Sequence, residues 1–514
     1  MSKSSSQTSS LWMTTADMPS QSSLSEHQRA DVCVVGAGIA GLSVAYCLAR
    51  EGKSVVLVHD GGQIGGGMTE RTTAHLSNVI DDGYTEIERL HGDEGARLAA
   101  QSHGAAIDFI ETTIAKEGIE CDFERVDGYL FVPPGESRKI LEDELEAAHR
   151  AGLTDAERLD RTPVESLAME LCVRFPRQAQ FHPLKYLAGL GHAIGRRGGR
   201  IFGSAHAQTV EGGAPARVET DKGHLIRAEA VVIATNTPIS DIVTIHTKQA
   251  PYTTYVIGAR LPRGALKKAL YWDTLDPYHY VRIQTVSSKD RGDYDVLIVG
   301  GEDHKTGQAD DGDHRYVRLE MWARDRFPAM GRIEFRWSGQ VMEPVDGLAF
   351  IGRDPGNEQN VYVATGDSGM GLTHGTIAGL LLTDLIMGRD SSWASLYDPS
   401  RKTLRAAGTF VQESVNVAVQ YADWVTGGDV SSEEEIGMDS GAIVRHGLKK
   451  VAAYRDQKGV LHRCSAVCPH LNCIVGWNNT EKTWDCPCHG SRFDKFGKVI
   501  NGPAIQNLGP VKDI

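Results

Sequence analysis

The chain has 514 residues, 41% hydrophobic and 24% charged, the ordinary mix of a globular protein, and at about 150 residues per domain this predicts two to four domains. The formal charge of −13 excludes the basic footprint of a nucleic-acid binder and argues against an anionic membrane surface as partner. The apolar run from Thr376 to Met387 is too short to span a bilayer and carries Asp384, so no transmembrane segment is expected; no apolar stretch follows Lys3, so no export signal is visible and the cytoplasm is the expected location.

Residues 1–28 hold ten serines and little that could pack, and read as a flexible tail. Order is expected from Ala30. Asp31-Val-Cys-Val-Val35 reads as a buried strand, Ile39 to Glu51 as a helix and Ser54 to Val58 as a second strand, a strand–helix–strand unit that implies a parallel sheet. Residues 85–118 and 137–151 read as helices, as does about Leu184 to Arg197. Ile201 and Ala230–Ala234 read as strands, and 251–336 as strand-rich. Val361-Tyr-Val-Ala364 precedes a glycine-dense turn and an apolar helix from about Thr376. Val411, Val415, Ala418 and Ala422 keep helical spacing, so 403–425 reads as one more helix. A polar, acidic linker follows, Gly427 to Glu435, with Glu433–Glu435 read as solvated. From about Gly441 the pattern changes to short strands and turns.

Gly36-Ala-Gly38-Ile-Ala-Gly41 follows a strand and opens a helix. In that context the first glycine permits a tight turn, the second lets the backbone approach a pyrophosphate, and the third lets helix and strand pack. The helix N-terminus offers unpaired N–H groups to phosphate. An acid is expected at the end of the second strand to bind a ribose hydroxyl; that place falls on His59, with Asp60 next. Only one such strand-flanked glycine motif occurs, so a second dinucleotide is not expected.

The opening from Asp31 to Asp60 resembles that of the D-amino-acid-oxidase and glycine-oxidase group of FAD-dependent flavoproteins. So does Val361-Tyr-Val-Ala-Thr-Gly-Asp-Ser-Gly-Met-Gly-Leu-Thr-His-Gly375, as well as Arg336-Trp-Ser-Gly339 with Asp346-Gly347 and Phe350-Ile-Gly352. The resemblance implies FAD, held by Gly36, Gly38, Gly41, His59 or Asp60, and by a late turn of Gly366, Gly369 and Gly371 near the pyrimidine end of the flavin. There, helix N–H groups stabilise the charge of the reduced ring. It implies oxidation of a C–N bond of an amino acid or N-methyl amine. His75 is a candidate for covalent flavin attachment, as in some relatives, against a plain hydrogen-bonded histidine. His374 is a candidate contact to the isoalloxazine, against a structural cap. Tyr278, Tyr280 and Arg282 fall on the substrate side, where Arg282 is a candidate carboxylate anchor, against a solvated strand residue.

Five of the nine cysteines lie between Cys464 and Cys488, which in a chain without an export signal points to a metal site. Cys468-Pro-His470 and Cys486-Pro-Cys-His489 each offer a thiol and an imidazole. Zinc and a Rieske [2Fe–2S] cluster are the candidates. Structural zinc sites usually space their cysteines two to four residues apart, whereas a Rieske cluster takes two thiolates on one iron and two imidazoles on the other. With Gly502-Pro-Ala504 downstream, the segment closely resembles Rieske proteins. The resemblance implies Cys468, His470, Cys486 and His489 as ligands. It also implies a disulfide between Cys473 and Cys488, as in Rieske proteins of respiratory and photosynthetic cytochrome complexes. Ser491 matches a serine that hydrogen-bonds a cluster sulfur, and Cys464 reads as a core thiol. Phe493 stands where that branch often has tyrosine. A lost donor predicts a potential below the top of the range of about −150 to +300 mV, checked by redox titration.

The expected architecture is an α/β FAD-binding Rossmann-like domain with an interleaved α+β substrate domain, plus a small all-β Rieske domain. The expected boundaries are 29–402, with substrate-side insertions about 85–180 and 251–336; 403–436 for the helix and acidic linker; and 437–514. The expected function is an FAD-dependent dehydrogenase or oxidase that passes electrons to the Rieske cluster and on to an unknown acceptor, with the linker letting the small domain approach the flavin or swing outward. The alternatives are oxidation of an alcohol or 2-hydroxy acid, or an electron-transfer flavo-iron-sulfur protein without a small-molecule substrate.

Overall fold

Val55–Val58 is buried along its whole length, and Val32 and Val34 join one apolar core while Cys33 and Val35 join another. A strand apolar on both faces belongs inside a covered parallel sheet. In the computed structural model, which describes residues 8–133, 135–164, 171–239, 243–287, 292–356 and 359–511, that sheet is built from parallel strands Arg200–Gly203, Val55–Val58, Gln28–Val35, Leu225–Ile233 and Val361–Thr365. Helices Ile39–Arg50 and Gly371–Ile386 pack closely on it. A Cβ at Gly379 would lie 2.7 Å from the Cβ of Ser43, so the contact needs glycine there.

The second large sheet is mainly antiparallel. Its strands run in the order Ile333–Pro344, Gln249–Leu261, Tyr294–Lys305, His279–Val286, Leu270–Asp273, Glu124–Phe131, Cys172–Gln180, His75–Leu76. Both expected insertions therefore contribute to one wall. Two small sheets follow: Ser440–His446, Lys449–Arg455 and Leu461–Ser465, then four short strands between Gly476 and Asn501. No helix among the described residues is long and apolar enough to cross a membrane.

Four expectations change. Residues 1–7 lie outside the described residues, but 8–28 are not a loose tail. Leu11–Thr15 is a helix capped by the Ser10 side chain, and Leu11 and Trp12 are completely buried, with Trp12 Nε1 donating to the Thr72 carbonyl at 2.6 Å. Trp12→Ala is expected to cost about 3–5 kcal/mol, read as a lower unfolding midpoint. The helix expected over 85–118 spans Tyr84–Glu117 but is broken at Gly92, whose φ is +75°. The apolar helix begins at Gly371, so the glycine turn itself opens it. The helical segment and the acidic linker after it are docked: Tyr421 Oη donates to the Leu471 carbonyl at 2.7 Å, Trp424 Nε1 donates to that of Asn472 at 2.9 Å, and Glu433 pairs with Arg463 at 2.5 Å.

Candidate functional site

The strand–turn–helix at Gly36–Gly41 opens onto a cavity of about 900 Å³ that runs between the two large sheets. Gly36 has φ +111°, and a Cβ there would sit 2.3 Å from the Ala234 carbonyl oxygen. A Cβ at Gly41 would sit 1.9 Å from that of Gly36. Gly38 also lines the cavity, with only the Thr69 hydroxyl nearby. The cradle therefore has room for a pyrophosphate and none for side chains. Gly41→Ala is expected to yield protein without bound flavin, read from the visible spectrum after purification.

His59 and Asp60 both line the same cavity. Burial lowers the His59 pKa to about 4, so the ring is neutral near pH 7, and Asp60 Oδ2 lies 3.3 Å from His206 Nδ1. The missed partner is His206, whose other ring nitrogen contacts the Ile505 carbonyl at 3.1 Å. Gly366, Gly369 and Gly371 line the far end; the first two have φ +72° and +67°, and a Cβ at Gly369 would lie 2.3 Å from Asp81 Oδ2.

His75, Trp272, Tyr278 and Tyr280 face the cavity from the second sheet. The Tyr280 ring occupies space that a Cβ at Gly300 would fill, 2.2 Å away. Its hydroxyl is 2.7 Å from Thr254 Oγ1, and its ring lies edge-on to His75 at 5.7 Å. His75 Nδ1 meets Thr73 Oγ1 at 3.0 Å, while Nε2 is buried without a hydrogen-bond partner. Burial and the nearby Arg282 lower its pKa to about 3.

Arg282 is neither a carboxylate anchor nor a solvated residue. It is completely buried and does not line the cavity. Its Nη1 donates to the carbonyls of Ala74 at 2.7 Å, Phe181 at 3.2 Å and Thr73 at 3.3 Å, its Nη2 donates to Gln284, and the guanidinium lies 5.3 Å from the Trp12 ring. It ties three segments together. His374 lines the cavity but is held on both sides, Nδ1 by the Asp367 carbonyl at 2.9 Å and Nε2 by His103 at 3.2 Å. Burial lowers its pKa to about 4, which fits the capping role.

In the small domain, Cys468, Cys486 and His489 are buried. The His470 and His489 rings lie edge-on to each other, 5.0 Å between centroids and 87° between planes. His489 Nδ1 is buried with no hydrogen-bond partner, an orphaned acceptor suited to a metal. A hydrogen bond from Cys486 lowers the Cys468 thiol to about 7 and outweighs burial, with Ser491 contributing. Cys473 and Cys488 form a disulfide beside the pair. These residues suit a cluster held by two thiolates and two imidazoles. Cys464 is buried in the local core, and Phe493 packs opposite Trp484.

The two halves meet at the cavity. Arg492, Lys498 and Asn501 of the small domain are among its lining residues. Gln340, also in the wall, donates through Nε2 to the Gly490 carbonyl at 2.9 Å and accepts through Oε1 from Asn501. Glu481 accepts from Ser338 at 2.7 Å and Thr8 at 2.6 Å. The His246 ring lies 4.9 Å from that of His470.

Comparison with known proteins gives two family matches, FAD dependent oxidoreductase over residues 31–385 and Rieske [2Fe-2S] domain over residues 428–512. The chain is 31% identical over 501 residues to the Rieske 2Fe-2S iron-sulfur protein YhfW of Bacillus subtilis (strain 168), covering 97% of this chain and 96% of that one. It is 28% identical over 404 residues to gamma-glutamylputrescine oxidoreductase of Escherichia coli (strain K12), covering 75% and 92%. Glycine oxidase from Geobacillus kaustophilus shares the fold, with a TM-score of 0.58 at 17% identity over 73% of this chain and 99% of that one. The α/β flavin fold, the small all-β domain, FAD and the [2Fe–2S] cluster expected from the sequence thus agree with these matches: the chain belongs to the FAD-dependent oxidoreductase family and carries a Rieske [2Fe–2S] domain.

Proposed function

We propose that the chain oxidises a C–N bond of a small amine or amino acid and that the electrons leave through the Rieske domain. The observation that carries this is Gln340. One side chain lines the flavin cavity and donates to the backbone of Gly490, the residue after His489. FAD held in this cavity would supply a hydride acceptor for the carbon next to nitrogen, and a cluster held by Cys468, His470, Cys486 and His489 would supply a one-electron acceptor. We assign Gly36, Gly38 and Gly41 to the pyrophosphate, Gly366, Gly369 and Gly371 to the flavin end, Cys468 and Cys486 to one iron, and His470 and His489 to the other.

The protein's own work is positioning and exclusion. The second sheet supplies a wall of aromatic rings beside the flavin end. The Leu11–Thr15 helix and Arg282 brace the segment carrying His75. The small domain closes the side carrying Asn501. The names of the relatives favour nitrogen-bearing substrates, gamma-glutamylputrescine for one and glycine for another.

The test is anaerobic. Purified protein is mixed with amino acids, N-methyl amines and hydroxy acids, with NADH as control, and flavin bleaching is followed optically and cluster reduction by EPR. An amine that bleaches the flavin and then raises the cluster signal is the expected result. Bleaching by a hydroxy acid alone would refute the C–N reading.

A further inference from the structure

C–N oxidation leaves the rest of the substrate open, and the charges on the cavity wall narrow it. Asp81, Asp303, Glu343 and Asp367 all line the cavity, alongside the rings of Trp272, Tyr278 and Tyr280. The four carboxyls have partners within the protein, none of them a cation. Asp81 accepts from Tyr278 Oη at 2.8 Å, Glu343 from Ser368 Oγ at 2.8 Å, and Asp367 from the Met342 N–H at 3.0 Å. Asp303 is hydrogen-bonded to Thr254, but its Oδ1 is buried and has no hydrogen-bond partner. Burial pushes Asp81 up to about 7, with neighbouring acids adding to it, and Asp367 up to about 6; it also pushes Asp303 up to about 6, outweighing the opposing pull of Thr254, His279 and Arg315. Buried carboxyls without cations are costly, and a bound cation relieves that cost.

The cations that could instead hold a substrate carboxylate are engaged elsewhere. Arg282 faces backbone carbonyls outside the cavity. Arg71 donates to the Ser338 carbonyl at 2.8 Å and lies 3.7 Å from Glu481. Arg492 pairs with Asp485 at 3.1 Å. Lys498 acts on Asp60, at the opposite, nucleotide end. Electron-rich ring faces beside acids are a surface for a positively charged nitrogen, not for a carboxylate.

We infer that the substrate is a cationic alkyl amine or diamine without a carboxylate on the oxidised carbon, its charged nitrogen held among Asp303, Asp81 and the Tyr278 and Tyr280 rings. This rests on reading the cavity as the substrate side of the flavin. The test uses the full, FAD-loaded chain and two probes that it does not oxidise: tetramethylammonium as the cation and benzoate as the carboxylate. Perturbation of the flavin absorption spectrum is titrated with each. Saturable perturbation by tetramethylammonium and none by benzoate is expected, and Asp303→Asn should weaken the cation by about tenfold or more, the loss of one charged partner. Asp81→Asn serves if the first variant fails to retain FAD. Tighter binding of benzoate, no response to tetramethylammonium, or a cation affinity untouched by both substitutions would overturn the inference. If tetramethylammonium binds as expected but no amine or amino acid reduces the flavin, the C–N reading fails and the cation site stands.

Discussion

Cys486→Ser is expected to remove the cluster and leave the flavin. Cys486 is 1% exposed and its backbone is fixed on both sides, its N–H donating to the Ser491 carbonyl at 2.8 Å and its carbonyl accepting from the Gly490 N–H at 3.1 Å. A hydroxyl there is a far poorer ligand for iron than a thiolate. Neither Cys468 nor Cys486 lines the flavin cavity, so the FAD-to-protein ratio should match the parent. Iron content and the EPR signal should fall to background, substrate should still bleach the flavin, and reduction of a one-electron acceptor should stop. Loss of FAD together with iron would contradict the assignment of separate sites.

Gly490→Ala is expected to keep both cofactors and break the connection between them. Gly490 has φ +76°, and a Cβ would lie 2.5 Å from that of Pro251 and 2.6 Å from Gln340 Nε2. The conformation alone costs an L-residue about 1–2 kcal/mol, and the overlap with Pro251 must push the cluster loop off the flavin body. Each 1.4 kcal/mol shifts the docked population about tenfold, so electron arrival at the cluster should slow by about tenfold or more while flavin reduction is unchanged. Gln340→Leu is the companion variant. It leaves the Gly490 carbonyl without its donor, costs about 1–3 kcal/mol, and should show the same split between the two rates.

The parts that were legible in the sequence are those whose residues lie close together along it. Gly36 to Gly41 is read with its flanking strand and helix, and the two cluster loops are separated by a short stretch. The Leu11–Thr15 helix was not legible, because two apolar residues in a serine-rich run give no periodicity; Trp12 is buried by tertiary contact with Thr72 and Arg282. The sequence places Arg282 as a charge on a substrate-side strand, but side-chain direction depends on which carbonyls are free, and those of Ala74 and Phe181 come from distant segments. The same holds for Asp81, Asp303, Glu343 and Asp367, which the fold gathers from four separate stretches of strand and turn, and for Gln340, whose role exists only once the small domain docks. Strand position alone makes Asp60 a candidate; its partner His206 lies far along the chain and carries no local signal.

In the proposed route, electrons pass from the flavin to the cluster inside one docked chain. The most direct test reduces the flavin anaerobically in a single rapid step and follows the cluster by freeze-quench EPR at several protein concentrations. A cluster signal whose rate does not depend on concentration is the expected result. A rate that rises in proportion to protein concentration, or a cluster that stays oxidised beside a fully reduced flavin, would contradict it.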